Sequence, residues 1–413
     1  MTMDAFPEDW EVVKLRCIIA EASYGVGAEA IPYNHVVKYI RITDINDETH
    51  GFTPSPLVSP AFYEEKHRVE KNDILIARTG ASVGKSYLYN EKDGRLVYAG
   101  FLMRVRVVDS SNASYVFLQT LTNRYAEWVK AESTRTGQPG LNLEQLKSFA
   151  IPLPPLAEQR RIAAALGDMD KLIDNLSKRI EKKKSIKQGA MQELLTGKKR
   201  LPGFEGEWEM VRIGNIGDFY GGLSGKTAAD FGHGEAQYIT FMNVLTNIVI
   251  KRHQVGKVSV YQGEHQNAVK KGDLFFNVSS ETPEEVAMCA ALLEDMPNTY
   301  LNSFCCGFRL FDDSNDPLFI SYYVNSHEGR KMTKFLAQGL TRHNLSKDAF
   351  RKMEMNWPKK SEQRAIAKVL GDMDAEIAKL EAKHEKLIGI KKGMMSDLLT
   401  GKVRLKTEME RRK

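Results

Sequence analysis

Residues 158–201 read EQRRIAAALGDMDKLIDNLSKRIEKKKSIKQGAMQELLTGKKRL, and residues 362–405 read EQRAIAKVLGDMDAEIAKLEAKHEKLIGIKKGMMSDLLTGKVRL. The two stretches align without a gap and agree at 25 of 44 positions, which marks an internal duplication. Apolar residues recur at alternating steps of four and three: Ile162, Leu166, Met169, Ile173, Leu176 and Ile180, then Ala190 and Leu194. Ile366, Leu370, Met373, Ile377, Leu380, Leu387, Met394 and Leu398 keep the same phase in the second copy. Such spacing draws a seam along one face of a long helix. Lys183 and Lys187 break the seam in one copy, and His384 and Lys391 break it in the other. Pro152, Pro154 and Pro155 precede the first helix, Pro358 precedes the second, and Thr-Gly pairs at 196–197 and 400–401 end them. About 34 residues at 1.5 Å rise make a helix of roughly 50 Å. Two matched seams in one chain are buried most simply against each other, as an antiparallel coiled coil.

Working outward, the flanking blocks repeat more faintly. Trp10-Glu-Val-Val-Lys-Leu echoes Trp208-Glu-Met-Val-Arg-Ile, and Lys38-Tyr-Ile-Arg-Ile echoes Gln237-Tyr-Ile-Thr-Phe. Lys71-Asn-Asp-Ile-Leu-Ile echoes Lys271-Gly-Asp-Leu-Phe-Phe, and Gly140-Leu-Asn-Leu echoes His343-Asn-Leu. Short β-branched and aromatic runs, such as Ile74–Ala77, Val97–Val108 and Leu274–Val278, read as strands among turns with few helices. The fold class is therefore α+β. Residues 1–150 and 202–357 form two β-rich domains of one fold with diverged loops. Residues 151–201 and 358–413 supply the helical spacers, and a pseudo-twofold relation would make the plan cyclic.

Composition is that of an ordinary globular chain: 42% hydrophobic and 27% charged carry no signature of disorder. No apolar run approaches the roughly 20 residues needed to cross a bilayer, and the start lacks a signal-peptide pattern. Cys17, Cys289, Cys305 and Cys306 show no metal-ligand spacing. The expected location is the cytoplasm. The net charge of +6 is unevenly placed. Residues 1–150 carry 17 Lys/Arg against 19 Asp/Glu and residues 202–357 carry 15 against 19, whereas residues 151–201 carry 12 against 6. A chain that coats nucleic acid by charge alone does not look like this.

The repeated EQRRIAAALGDMD…MQELLTGKKRL segment after IPLPPLAEQ, with its second copy and the order domain–helix–domain–helix, closely resembles the specificity subunits of type I restriction–modification systems. The resemblance covers nearly the whole chain. It implies target-recognition domains that each read one half of a split, asymmetric double-stranded DNA site, and helices that bind two methyltransferase subunits. It also implies that S-adenosylmethionine, ATP and magnesium, with methylation, ATP hydrolysis and cleavage, belong to the methyltransferase and the restriction or motor subunits, so that this chain is not an enzyme and holds no cofactor. Gly167, Gly189, Gly371 and Gly393 lie inside the helices, where each costs about 1 kcal/mol relative to Ala. Their recurrence points to a close approach, such as that of a methyltransferase subunit, or else to a bend. Related domains on an antiparallel spacer would meet a duplex with opposite polarity, on groove faces about 34 Å apart. The reading from another class is a coiled-coil assembly protein without sequence-specific DNA binding.

Catalytic motifs are missing. The Pro-Pro at 154–155 is a helix lead-in, not a methyltransferase motif. Gly80-Ala-Ser-Val-Gly-Lys-Ser86 and Gly221-Gly-Leu-Ser-Gly-Lys-Thr227 end like phosphate loops but have three residues between the glycines where four are needed. They read better as DNA-contact turns, through Arg78, Thr79, Lys85 and Ser86 in the first domain. The equivalent Asn277-Val-Ser279-Ser280 lacks a cation, which Lys226 is expected to supply. A second candidate set precedes each helix: Arg135, Gln138, Arg342 and His343 are side chains suited to base edges or phosphates. Asn142 and Asn344 match between the domains and are read as caps that turn the chain into the scaffold.

Overall fold

A computed structural model describes residues 6–133, 139–339 and 343–405. The chain divides into two compact units, one of Met1–Ser177 with Lys383–Lys413 and the other of Lys178–Ala382. This division cuts through the long helices, so each unit takes one globular block and part of both helices.

In the first unit a central antiparallel sheet has the order Ile19–Tyr24, Leu102–Val107, Asp73–Ala77, Ser86–Leu88. The run Asp73-Ile-Leu-Ile-Ala is apolar without alternation because both of its faces are covered. Ile74 and Ile76 pack with Met103, Val105, Leu146 and Phe149, whereas Leu75 and Ala77 pack with Ile40, Tyr87, Tyr98 and Leu102. Buried Asp73 is answered by Arg106, at 2.7 and 3.0 Å. Glu11–Lys14 pairs antiparallel with Ala150–Leu153, and Lys38–Ile40 pairs parallel with Leu96–Tyr98.

The second unit repeats the plan. Its sheet order is Gly217–Gly221, Cys305–Leu310, Leu274–Asn277, Cys289–Ala291. Leu274 and Phe276 face one core and Phe275 the other. Asp273 holds Arg309 at 2.6 Å as Asp73 holds Arg106. Glu209–Arg212 pairs with Glu354–Trp357, and Gln237–Ile239 runs parallel to Thr299–Leu301.

Two sequence expectations change. The run Val97–Val108 is two strands, because the chain turns at Ala99–Phe101. The expectation of few helices fails. Among the described residues the first block holds Ala113–Gln119, Asn123–Ser133 and Leu143–Ser148. The second holds Phe241–Thr246, Pro317–Asn325, His327–Lys334 and Lys347–Arg351. Their signals are caps: Asn112 accepts from the Tyr115 amide, and Asp316 accepts from Phe319 with Pro317 beginning the helix.

The long helices span Leu156–Leu194 and Lys360–Leu398, 39 residues each, or about 58 Å at 1.5 Å per residue. In each unit the start of one runs antiparallel to the end of the other. Ile162 and Leu166 pack with Leu398 and Leu399 in the first unit, and Ile366 and Leu370 share a core with Leu194 and Leu195 in the second. Every break in the apolar seam is a cross-helix polar tie. In the first unit Lys391 reaches Asp170 at 2.5 Å and Ser177 pairs with His384 at 2.8 Å. In the second, Lys183 donates to Glu376 at 2.8 Å and Lys187 to Asp374 at 2.5 Å.

The Glu-Gln that opens each repeat explains its identity. Trp10 Nε1 and Arg404 both donate to buried Glu158, at 3.3 and 2.6 Å. Trp208 Nε1 and Arg200 donate to buried Glu362, at 3.2 and 2.7 Å. Gln159 accepts from the Asn112 amide and Gln363 from that of Asp316, which fixes each long helix to the cap of a short one.

Candidate nucleic-acid interface

The strand Asp73–Ala77 runs out into Arg78, Thr79 and a tight turn that returns as Ser86–Leu88. The turn uses its own amides: Gly84 donates to the Ala77 carbonyl, Val83 to Gly80 and Lys85 to Ser82. Gly84 has φ +85°, and a Cβ there would lie 2.8 Å from Val129. No helix follows the turn, so it lacks the geometry that cradles a phosphate at a helix N-terminus.

The segment ahead of the long helix meets this same place. Leu141 donates its amide to the Arg78 carbonyl at 2.8 Å, Gly80 donates to Pro139 at 3.1 Å, and Thr79 bridges Gly140. The Arg78 loop and residues 139–141, remote in sequence, are thus hydrogen-bonded neighbours. A third segment joins it, since the Arg78 amide donates to the Phe101 carbonyl at 3.0 Å. The Arg78 guanidinium lies 4.6 Å over the Tyr24 ring, and its Nε is buried without a hydrogen-bond partner among the described residues.

The second unit builds the same junction from different side chains. Leu345 donates to the Val278 carbonyl at 2.9 Å, and Val278 donates to Phe304 at 3.1 Å. Ser279 and Ser280 pair as a short strand with Asn344 and His343. Among the described residues, neither side-chain amide atom of buried Asn277 has a hydrogen-bond partner. A buried orphan of this kind costs about 1–3 kcal/mol.

Several expected contacts are corrected. Ser86 is fully buried, with its hydroxyl 2.6 Å from that of Thr120. The Lys85 side chain is 11% exposed and paired with Asp47 at 2.7 Å, which holds the Asp47 carboxyl below the usual carboxylate range. Lys226 does not supply the missing cation. Its side chain is 4% exposed, donates to Glu264 at 2.6 Å and lies 4.9 Å from the Tyr261 ring centre. That bond leads the causes that lower the Glu264 pKa. Ser280 is buried and donates to Glu285 at 2.5 Å, while Ser279 stays half-exposed. Arg135, Gln138 and Arg342 lie outside the described residues.

The matched asparagines also part company. Asn142 caps the helix Leu143–Ser148 by accepting from the Gln145 amide. The cap in the second unit is Ser346, which leaves Asn344 exposed in the strand opposite Ser279. Leu141 and Leu345 are the true equivalents by hydrogen bonding, so the echo of Gly140-Leu-Asn-Leu with His343-Asn-Leu is two residues out of step. Asn344, read from sequence as a cap, is exposed, and the exposed Phe101 and Phe304 were not singled out by the sequence. The signal for the phenylalanines was their common place at the head of the strand that follows Tyr98 and Leu301.

On the long helices, a Cβ built at Gly167, Gly189 or Gly393 meets no atom within 4 Å, and one at Gly371 meets only Leu318 and Tyr322 at 3.9 Å. Both helices run through these positions without interruption. No described group of this chain lies close against Gly167, Gly189 or Gly393.

Comparison with known proteins bears on the family and the fold. Residues 7–187 and 205–388 each match the type I restriction modification DNA specificity domain. Two proteins of Methanocaldococcus jannaschii are similar over 97% of this chain, at 26 and 23% identity. The second, the type I restriction enzyme MjaVIII specificity subunit, is covered over 94% of its own length. The crystal structure of the type I restriction–modification system S subunit from M. genitalium has the same fold. Its TM-score is 0.59 at 14% identity, covering 96% of this chain and 98% of that one.

Proposed function

This chain belongs to the type I restriction–modification DNA specificity family, and from that premise we propose how it reads DNA. Each unit reads one half of a bipartite, asymmetric site through the surface where its strand-end loop meets the lead-in to a long helix. The observation that carries this reading is the pair of equivalent main-chain bonds, Leu141 to Arg78 and Leu345 to Val278. Both units hold the same backbone junction and mount different side chains on it: Arg78, Thr79 and Tyr24 in one, Ser279, His343 and Asn344 in the other. A shared frame with unlike side chains fits two unlike half-sites. Arg suits guanine or phosphate, and Asn suits adenine. Arg135, Gln138 and Arg342 remain candidates by sequence alone.

The domain limits 1–150 and 202–357 mark the two readers, with residues 151–201 and 358–413 as the spacer helices. The open flanks of Gly167, Gly189 and Gly393 support these helices as seats for two methyltransferase subunits. S-adenosylmethionine, ATP and magnesium are placed on those partners and on the restriction or motor subunits, where the complex works in the cytoplasm. This chain contributes recognition and no catalytic group.

The test is co-expression with the cognate methyltransferase subunit in a host free of DNA methylation, followed by mapping of modified adenines. A single split motif with two unlike halves is expected. A stable complex that leaves no motif would instead make the chain an assembly protein.

A further inference from the structure

We infer that Phe101 and Phe304 are DNA contacts, one in each unit, whose rings stack into a base step of the half-site that the unit reads. The inference rests on the reading above and deepens it. Phe101 is 65% exposed and Phe304 is 56% exposed. A single apolar side chain in water needs no explanation. Here the same ring stands at the same turn in two units whose other loop residues have diverged.

Each turn is held by close backbone packing and by hydrogen bonds. Gly25 lies directly beneath the first, where a Cβ would come within 2.2 Å of the Ala99 carbonyl oxygen. Gly222 lies beneath the second, where a Cβ would come within 2.0 Å of Asn302. Gly100 donates to the Val26 carbonyl and Leu102 to that of Ala99, both at 2.8 Å. The Phe304 amide donates to buried Asn302 Oδ1 at 2.9 Å, and Asn302 Nδ2 donates to the Ile239 carbonyl at 3.0 Å. Hydrogen bonds within the chain hold these backbones, so little backbone entropy is lost on contact.

The neighbourhood selects the occupant. The Phe101 carbonyl takes the Arg78 amide and the Phe304 carbonyl takes that of Val278, which puts each phenylalanine beside the loop that enters the reading surface. In the first unit the Arg78 guanidinium and the Tyr24 ring adjoin it, and in the second His343 and Asn344 pair with Ser280 and Ser279. An apolar ring on a fixed turn beside such groups suits an unstacked base step, where apolar wedges enter duplex DNA.

The experiment uses the assembled complex of this chain with its methyltransferase subunits, and duplexes carrying the mapped site with 2-aminopurine placed in turn along each half. Wild type is expected to raise emission at one step in each half. Phe101→Ala should abolish the rise in one half only and Phe304→Ala in the other, each weakening binding about 10- to 100-fold. Phe101→Trp and Phe304→Trp should restore both signals. Both alanine variants should assemble and melt as wild type does, since neither ring is buried. A wild-type complex that prefers its site while both alanine variants bind and fluoresce unchanged would overturn the inference alone. Loss of assembly before DNA is added would overturn it as well, by assigning the rings to a protein partner. A wild-type complex with no site preference would instead overturn the reading on which the inference rests.

Discussion

Lys85 and Lys226 show how a charge read as a ligand contact becomes structural once its partner is known. Asp47 and Glu264 are distant in sequence, yet each neutralises its lysine at a nearly closed position. Lys226→Met is therefore expected to destabilise the second unit by about 1–3 kcal/mol and to leave the salt dependence of DNA binding unchanged. A shallower salt slope in a titration would return Lys226 to the interface. Arg78→Ala should weaken specific binding by about 1–3 kcal/mol, the worth of one bidentate base contact, with equal loss on all sequences if it grips phosphate instead. Asn277 stands where the first unit has Ala77, and Asn277→Ala is expected to raise the melting temperature by removing an orphaned amide. The thiols divide in the same way. Burial pushes Cys305 and Cys306 up to about 12 and raises Cys289 too, while Cys17 is exposed. Iodoacetamide at pH 8 should thus label Cys17 alone in the folded chain, as mass spectrometry would report.

At the scale of the element, the long helices combine an apolar seam with polar interruptions that set register. Lys391–Asp170 and Lys187–Asp374 are equivalent ties, and a shift of one turn would separate both. Such groups make one alignment better than its neighbours. The glycines act differently. Gly189→Ala with Gly393→Ala puts two methyl groups into open space and should stabilise the helices by about 1 kcal/mol each. If these positions receive methyltransferase subunits, the same double variant should melt higher and assemble less tightly. Unchanged assembly by analytical ultracentrifugation would remove the glycines from the docking surface.

For the whole molecule, the repeated Trp–Glu–Arg clasp joins the entry strand of each block to the start of one long helix and the end of the other. Glu158→Ala and Glu362→Ala should each cost about 1–3 kcal/mol, because a charged hydrogen-bond acceptor is lost from a closed site. Similar shifts in melting temperature are expected, since the two clasps share geometry. Exchange of residues 8–150 for those of a related chain should alter one half of the methylated motif and leave the other intact. A change in both halves would mean that reading is not divided between the units. The slightly acidic blocks also predict weak, salt-sensitive binding by the isolated chain, strengthened when its partners add their own contacts.

The sequence by itself determined the duplication, the two long helices, the two related β-rich blocks and the family, because each is written in local order. Periodicity needs only neighbours three and four residues away, and a repeat needs only comparison of the chain with itself. It also marked the Arg78 loop and the approach to each long helix as places of interest. Only the tertiary structure decided that within each unit the strand-end loop is hydrogen-bonded to the approach to a long helix, that Ser86 is interior, that Lys85 and Lys226 are occupied, and that Asn344 faces solvent while Asn142 caps a helix. Those outcomes depend on which distant carboxylate, hydroxyl or backbone strand lies opposite a residue. Burial and pairing across a fold are set by packing, and no spacing along the chain records them.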